Sequence, residues 1–330
     1  MRVALFSTQT YDQEYFEKIN SEFGHELVYF KPSLNGQTVS LCKGFPAICT
    51  FVNDQLKAEV LQQLFDNGVK IVALRCAGFN QVDLPKAAEL GIQIVRVPAY
   101  SPQSVAEHAV ALIMTLNRKT HKAYNRVREG NFSLDKLTGF DVFGKTVGVI
   151  GTGKIGAAFC RIMIGFGCKV IAFDPFPDEN LKKTGVNYVL SDTLFKESDI
   201  ISLHCPLTPQ THHIINKSSI KMMKEQVMLI NTSRGGLVDT KAVIKALKSK
   251  KIAYLGIDVY EQEENLFFKD LSETVIEDDT IMRLMTFPNV LITAHQAFFT
   301  DNALNQIAHT TLQNLKDFED GKELVNAITK

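Results

Sequence analysis

The sequence predicts an α/β protein made of two doubly wound parallel-sheet domains, one inserted in the other. Three observations predict it. The first hundred residues alternate strand-like and helix-like patterns, which implies a parallel sheet covered by helices. A second series of the same kind runs from residue 145 to about 295. Finally, 330 residues exceed the usual span of a single core, so the chain should divide.

In the first series Val3 to Ser7, Glu26 to Phe30, Ala47 to Val52, Lys70 to Cys76 and Ile92 to Val97 read as strands. Helical stretches lie between several of them, such as Asp54 to Phe65, and Asp83 to Leu90 with Asp83 as its N-cap. Val97-Pro98-Ala99-Tyr100-Ser101-Pro102 marks a boundary, because two prolines break the pattern and Ser101-Pro102 suits an N-cap and N1 pair. The next helix carries Val105, Ala109, Leu112, Ile113 and Leu116 on one face, as core or subunit interface.

In the second series the strands are Thr146 to Ile150, Val170 to Phe173, Ile200 to Cys205, Val227 to Thr232, Tyr254 to Val259 and Val290 to Ala294. The acidic region Glu261 to Asp279 reads as a solvated loop and a short helix. A last helix pattern, Asp301 to Phe318, follows the completed sheet. Its return to the first domain would make the chain cross twice, near Tyr100 and near Phe298. The expected domains are then 1–100 with 299–330, and 101–298.

Formal net charge is zero, so nothing directs the chain to nucleic acid or an anionic membrane. The six cysteines are scattered without a C-x-x-C pair and read as buried thiols of a reducing compartment. The apolar run at the N-terminus is too short for a signal peptide, and the run around Ala109 to Leu116 is far below membrane-spanning length. A cytoplasmic protein is expected.

The most informative stretch is Lys145-Thr146-Val147-Gly148-Val149-Ile150-Gly151-Thr152-Gly153-Lys154-Ile155-Gly156. A β-branched strand runs into G-x-G-x-x-G where a helix begins. Gly151 permits the tight turn, Gly153 lets backbone approach a pyrophosphate, and Gly156 lets helix and strand pack closely. The helix N-terminus adds unpaired N–H groups and partial positive charge. Ile155, Phe159, Ile162 and Phe166 continue the helical spacing. The following strand ends on Asp174, about 20 residues on, where a ribose 2′-hydroxyl would be held. A carboxylate there repels a 2′-phosphate, and residues 175–180 hold no Arg or Lys, so the expected cofactor is NAD rather than NADP.

Ligands of open α/β sheets sit beyond the carboxyl ends of the strands. Three late strands of the second series end in chemically useful residues. Ser233-Arg234-Gly235-Gly236 follows one, Asp258 with Tyr260-Glu261-Gln262-Glu263 ends another, and His295 follows the last. Reducing a 2-oxo acid needs a hydride at C2, a proton for the developing alkoxide and a cation for the carboxylate. Arginine offers a planar bidentate fork. Histidine gives or takes a proton near neutral pH, and a neighbouring carboxylate favours its protonated form and fixes its tautomer. Composition alone does not choose among Glu261, Glu263 and Glu264. His204, His212 and His213 lack further ligands at metal-binding spacing, and hydride transfer needs no metal, so none is expected.

The glycine turn, Asn231-Thr232-Ser233-Arg234-Gly235-Gly236-Leu237-Val238-Asp239 and Asp258-Val259-Tyr260-Glu261-Gln262-Glu263 together resemble the D-2-hydroxyacid dehydrogenases. The resemblance spans nearly the whole chain. Arg75-Cys76-Ala77-Gly78-Phe79-Asn80 and His295-Gln296-Ala297-Phe298-Phe299-Thr300 are most similar to its fermentative D-lactate branch. Wider relatives often have proline after the catalytic glutamate and small residues after the histidine, where Glu264 and Ala297-Phe298-Phe299 stand here.

The resemblance implies a Rossmann NAD-binding domain inserted in a flavodoxin-like substrate domain, and it implies roles. Arg234 would bind the substrate carboxylate and polarise the carbonyl. His295 would be the acid of reduction and the base of oxidation, with Glu263 as its partner. Asp258 would hold the nicotinamide carboxamide and Asp174 the adenosine ribose. Gly151, Gly153, Lys154, Ile155 and Gly156 would line the pyrophosphate turn, with Cys205, Pro206, Thr232 and Ser233 along the cofactor. Ala77, Gly78 and Tyr100 would close over the substrate from the other domain, and Phe298 and Phe299 would wall its pocket. The implied activity is NAD-dependent reduction of pyruvate to D-lactate in a homodimer or homotetramer. Two rivals remain: the same chemistry on bulkier 2-oxo acids such as phenylpyruvate or 2-oxoisocaproate, and a non-catalytic NADH-sensing protein.

Overall fold

Two parallel sheets carry the chain, and the computed structural model describes residues 1–328 of it. One compact unit combines Met1–Ser101 with the segment from Phe299 onward, and the other is Pro102–Phe298.

The first unit begins β1 (Arg2–Leu5), α1 (Thr10–Asn20), β2 (Glu26–Tyr29), β3 (Ala47–Thr50), α2 (Ala58–Asp66), β4 (Ile71–Leu74), α3 (Leu84–Glu89) and β5 (Gln93–Arg96). Its strand order is β2-β1-β3-β4-β5, all parallel, which is the flavodoxin-like arrangement. Every residue of β3 and β4 is buried. Central parallel strands covered on both faces are continuous apolar runs for this reason. Asp83 caps α3 by accepting from the Lys86 N–H at 3.1 Å.

The helix expected from Asp54 begins only at Ala58. Asp54 is fully buried, and its carboxylate accepts from the N–H groups of Phe51 and Leu34, both at 2.6 Å, and from Ser7 Oγ at 2.7 Å. Burial pushes this carboxyl up despite the nearby Arg75 guanidinium. Asp54 serves the loops around it instead, four residues before α2 begins.

The second unit runs α4 (Pro102–Arg118), α5 (Thr120–Arg128), β6 (Thr146–Ile150), α6 (Lys154–Gly165), β7 (Lys169–Phe173), α7 (Glu179–Lys182), β8 (Asn187–Tyr188), α8 (Ser191–Glu197), β9 (Ile200–Leu203), α9 (Lys217–Met222), β10 (Val227–Asn231), α10 (Thr240–Lys248), β11 (Ile252–Ile257), α11 (Asp279–Met285) and β12 (Val290–Ile292). The strand order is β12-β11-β10-β9-β6-β7-β8, again wholly parallel. It reverses between β6 and β9, and that crevice is where open α/β sheets take ligands. The two-residue edge strand β8 is too short to leave a pattern in the sequence. The apolar stripe of α4 lies in the core of its own unit, with Ala109, Leu112, Ile113 and Leu116 all at or below 3 % exposure. That stripe is core, not subunit interface.

The acidic stretch after β11 is not simply solvated. Tyr260, Phe267 and Ile281 form a small buried cluster, and Tyr260 Oη donates to Asp278 at 2.8 Å. Five of the six cysteines are buried and Cys168 is half-buried. Burial pushes the Cys42, Cys49 and Cys160 thiols up to about 12, so they stay protonated.

The chain then returns to the first unit as α12 (Asp301–Glu319), N-capped by Thr300 Oγ1 accepting from Ala303 N–H. Its apolar face places Ala308, Leu312 and Leu315 in one core with Val3, Leu5 and Ala73. Ile328 N–H then donates to Ile94 O at 2.9 Å, beside β5.

Candidate active site

The turn from β6 into α6 shows why its three glycines stand where they do. Gly151 has φ +91°, and a Cβ there would lie 2.5 Å from Cys205 N across the β6/β9 crevice. At Gly156 a Cβ would sit 2.0 Å from Gly151 O, so α6 packs on the turn only without a side chain. Gly153, the N-cap of α6, faces open space instead. A cleft of about 460 Å³ lies there, lined by Thr152, Gly153, Lys154, Arg161 and Asp178 among others. An open glycine at a helix N-terminus beside two cations fits the pyrophosphate of a dinucleotide.

Asp174 follows β7 and closes the turn. Its Oδ2 accepts from Thr152 N–H at 2.6 Å and Thr152 Oγ1 at 3.1 Å, and its Oδ1 from Phe176 N–H at 2.8 Å. Tyr188 Oη donates to Thr152 Oγ1 at 2.9 Å. Thr152 and Tyr188 thus brace the acid, which sequence reading missed. Threonine between the glycines was the one available signal.

Beneath the turn, His204 Nε2 lies 2.8 Å from Ser202 Oγ. The residue keeps partial exposure, but Nδ1 is buried without a partner. Burial pushes the ring down to about 3, so it stays neutral. Cys205 is buried as well, and its thiol is pushed up to about 11. Ser233 Oγ donates to Cys205 O at 2.7 Å, linking the loop after β9 to the one after β10.

The loops after β10, β11 and β12 carry the other candidates. Arg234 donates from Nη1 to Ser233 O at 2.7 Å and pairs with no carboxylate among the described residues. His295 Nδ1 lies 2.8 Å from Glu263 Oε1, and Glu263 Oε2 accepts from Tyr260 N–H at 2.9 Å. The structure therefore selects Glu263, among the three glutamates, as the partner of this imidazole. His295 has φ +52°, in the left-handed region that a non-glycine residue seldom takes.

Asp258 holds that backbone in place. It is fully buried, and its own carbonyl accepts from His295 N–H at 2.8 Å. Its Oδ1 accepts from Gln296 N–H at 2.9 Å and Thr293 Oγ1 at 2.5 Å, and its Oδ2 from Ala297 N–H at 2.8 Å. His108 Nε2 is 3.0 Å from Thr293 Oγ1. Whatever else it contacts, Asp258 shapes the histidine loop, a role its place in the sequence did not suggest.

In the first unit Arg96 Nη1 donates to Ala77 O at 2.8 Å, and Cys76 Sγ lies 3.2 Å from Gly78 O, which fixes the loop after β4. Tyr100 is half-buried at the end of the segment after β5. Phe298 is buried at the end of the second unit, and Phe299 is 47 % exposed with its ring 4.7 Å from Tyr11, edge to face. Lys154 and Ile155 open α6, and Pro206 and Thr232 follow β9 and β10. No group of three His, Cys, Asp or Glu side chains suited to a metal occurs among the described residues. No helix among them is long and apolar enough to cross a membrane.

A sheet reversing at β6/β9, a glycine turn open at one residue and an acid after β7 define a dinucleotide-binding domain. Residues 110–297 match the family described as D-isomer specific 2-hydroxyacid dehydrogenase, NAD binding domain. The chain is 53% identical to D-lactate dehydrogenase of Escherichia coli K12 over 328 residues, 99% of this chain and 100% of that one. The apo-structure of the E. coli enzyme superposes with a TM-score of 0.92, at 51% identity over 99% of this chain and 100% of that one. The D-lactate dehydrogenase of Aquifex aeolicus, solved with NAD and lactic acid, does so at 0.88, with 36% identity and 99% of both chains covered. The chain belongs to the D-2-hydroxyacid dehydrogenase family, as an oxidoreductase that uses NAD.

Proposed function

We propose that the protein interconverts pyruvate and D-lactate, running pyruvate + NADH + H⁺ to D-lactate + NAD⁺ and back. The observation that carries this reading is the Glu263–His295 pair, an imidazole oriented through Nδ1 by a carboxylate. Nε2 is then the nitrogen that delivers a proton to the substrate oxygen in reduction and takes it back in oxidation. Arg234, with no acid of its own among the described residues, binds the substrate carboxylate through its fork and draws charge from the carbonyl. The bound nicotinamide supplies the hydride for C2 of pyruvate, or accepts it from lactate.

Gly151, Gly153, Lys154, Ile155 and Gly156 hold the pyrophosphate in this reading. Asp174 holds the adenosine ribose and Asp258 the carboxamide, with Cys205, Pro206, Thr232 and Ser233 beside the dinucleotide. The first unit acts as the substrate domain, contributing Ala77, Gly78, Tyr100 and Phe299, while Phe298 comes from the second. The working form is a cytoplasmic homodimer or homotetramer. The high identity to a D-lactate dehydrogenase over the full length supports the small substrate.

Following NADH absorbance with pyruvate, phenylpyruvate and 2-oxoisocaproate in parallel tests this. Fastest oxidation with pyruvate, giving the D isomer, is the expected result. Preference for a bulky acid would move the substrate class, and NADH binding without turnover on any of them would end the enzymatic reading. His295→Ala is expected to lower kcat about 10³-fold.

A further inference from the structure

Glu261 lies two residues before the partner of His295, and its carboxylate turns to a different task. Its Oε1 is 2.7 Å from His213 Nε2. Its Oε2 accepts from Thr240 N–H at 3.0 Å and from Thr240 Oγ1. His213 and Thr240 both border the C-terminal part of the arginine turn. His213 N–H donates to Gly236 O at 2.9 Å, Ile215 N–H to Leu237 O at 3.0 Å, and Asp239 N–H to Ile215 O at 2.8 Å. Thr240 begins α10, immediately after the turn. On its other side the turn is tied by Asn231, whose Nδ2 donates to Arg234 O at 2.9 Å and whose Oδ1 accepts from Ser233 N–H.

The turn packs directly on the segment that bears Glu261. A cavity of about 10 Å³ lies under it, lined by Asn231, Gly235, Thr240 and Glu261 among others. Gly235 touches the chain bearing Glu261 so closely that a Cβ would fall 2.1 Å from the Tyr260 carbonyl carbon. Any slip of the Tyr260–Glu261 backbone is therefore passed to the residue next to Arg234. His213 holds its place at φ +50°, a conformation that needs a partner to fix it, with its ring stacked 3.9 Å from His212.

We propose that Glu261, clasping His213 and Thr240, is a positioning residue that sets the aim of the Arg234 guanidinium for the substrate carboxylate. The same short segment carries Glu263, so one carboxylate registers the arginine turn against the Glu263–His295 pair. This rests on the reading of Arg234 as the carboxylate-binding group. Misplacing a substrate-orienting group by about an ångström can cost about 10²-fold in rate.

The test measures pyruvate KM and kcat, NADH affinity, and the affinity of the NADH-loaded protein for oxamate, a carboxylate that is not reduced. Glu261→Ala and His213→Ala should each raise the pyruvate KM and the oxamate Kd about tenfold, with NADH affinity changed less than twofold. The double variant should be little worse than either single one, because both remove one clasp. Glu261→Gln, which can still accept from Thr240 N–H and donate to His213, should stay within about threefold of the parent. Amide exchange of residues 234–240 should quicken in the alanine variants, a readout independent of turnover. Parallel loss of NADH affinity and kcat with KM unchanged would mean a merely structural role and overturn the proposal. So would unaltered oxamate binding in a folded Glu261→Ala or His213→Ala protein. A parent protein inactive on every 2-oxo acid would instead sink the functional reading on which the clasp depends.

Discussion

His295 is held against its own conformational preference. A left-handed backbone costs a non-glycine residue about 1–2 kcal/mol, and Asp258 offsets this by taking the N–H groups of His295, Gln296 and Ala297 in succession. Asp258→Asn replaces one of the two accepting oxygens by a donor that faces an N–H. We expect it to lower kcat about 10²-fold and stability by about 2–3 kcal/mol. Steady-state kinetics beside urea unfolding would check both, and an unchanged kcat would refute the account.

His204 gives a second expectation, in pH. Burial holds its folded pKa near about 3, below the ordinary histidine value, so only the unfolded chain takes up a proton between those limits. Stability therefore falls on acidification below about pH 6.5, by up to ~1.4 kcal/mol per pH unit until about pH 3. His204→Gln should flatten that slope in urea titrations at pH 4–6 while leaving neutral stability nearly unchanged. An equal slope in the variant would show that other groups set the acid limit.

Strands and helices follow the same logic over a longer span. The β6–α6 turn works because Gly156 has no side chain, so Gly156→Ala must shift α6 away from Gly151 O. NADH titration by fluorescence should show at least tenfold weaker binding, and parent affinity would contradict this view of the turn. The eleven strands longer than two residues were readable because each centres on a short apolar run. The residues past β10, β11 and β12 were readable because a parallel sheet gathers its carboxyl ends on one edge. The braces were not. Thr152 meets Asp174 across 22 residues and His213 meets Glu261 across 48, and no local period records such a contact. The late start of α2 was hidden for the same reason, since Asp54 serves a strand loop and not the helix beside it in sequence.

The surface of the second unit bears on assembly. Tyr124, Val127, Phe132, Leu134 and Phe143 are between 51% and 81% exposed, an unusual concentration of apolar side chains within twenty residues. The α4 stripe cannot account for an interface, being core, so this segment is where association is expected. Light scattering should give a multiple of 36.9 kDa, and Phe132→Asp with Leu134→Asp should reduce it. A monomeric parent protein would remove the expectation.

The return of α12 to the first unit has a consequence for how the protein is made. The sheet of β1 to β5 leaves the ribosome first, yet the helix bearing Ala308, Leu312 and Leu315, which covers one of its faces, emerges only after the whole second unit. At about 5–20 residues per second, the two hundred or so intervening residues take roughly 10–40 s. The face of the first sheet that α12 covers stays uncovered through that interval, open to chaperones.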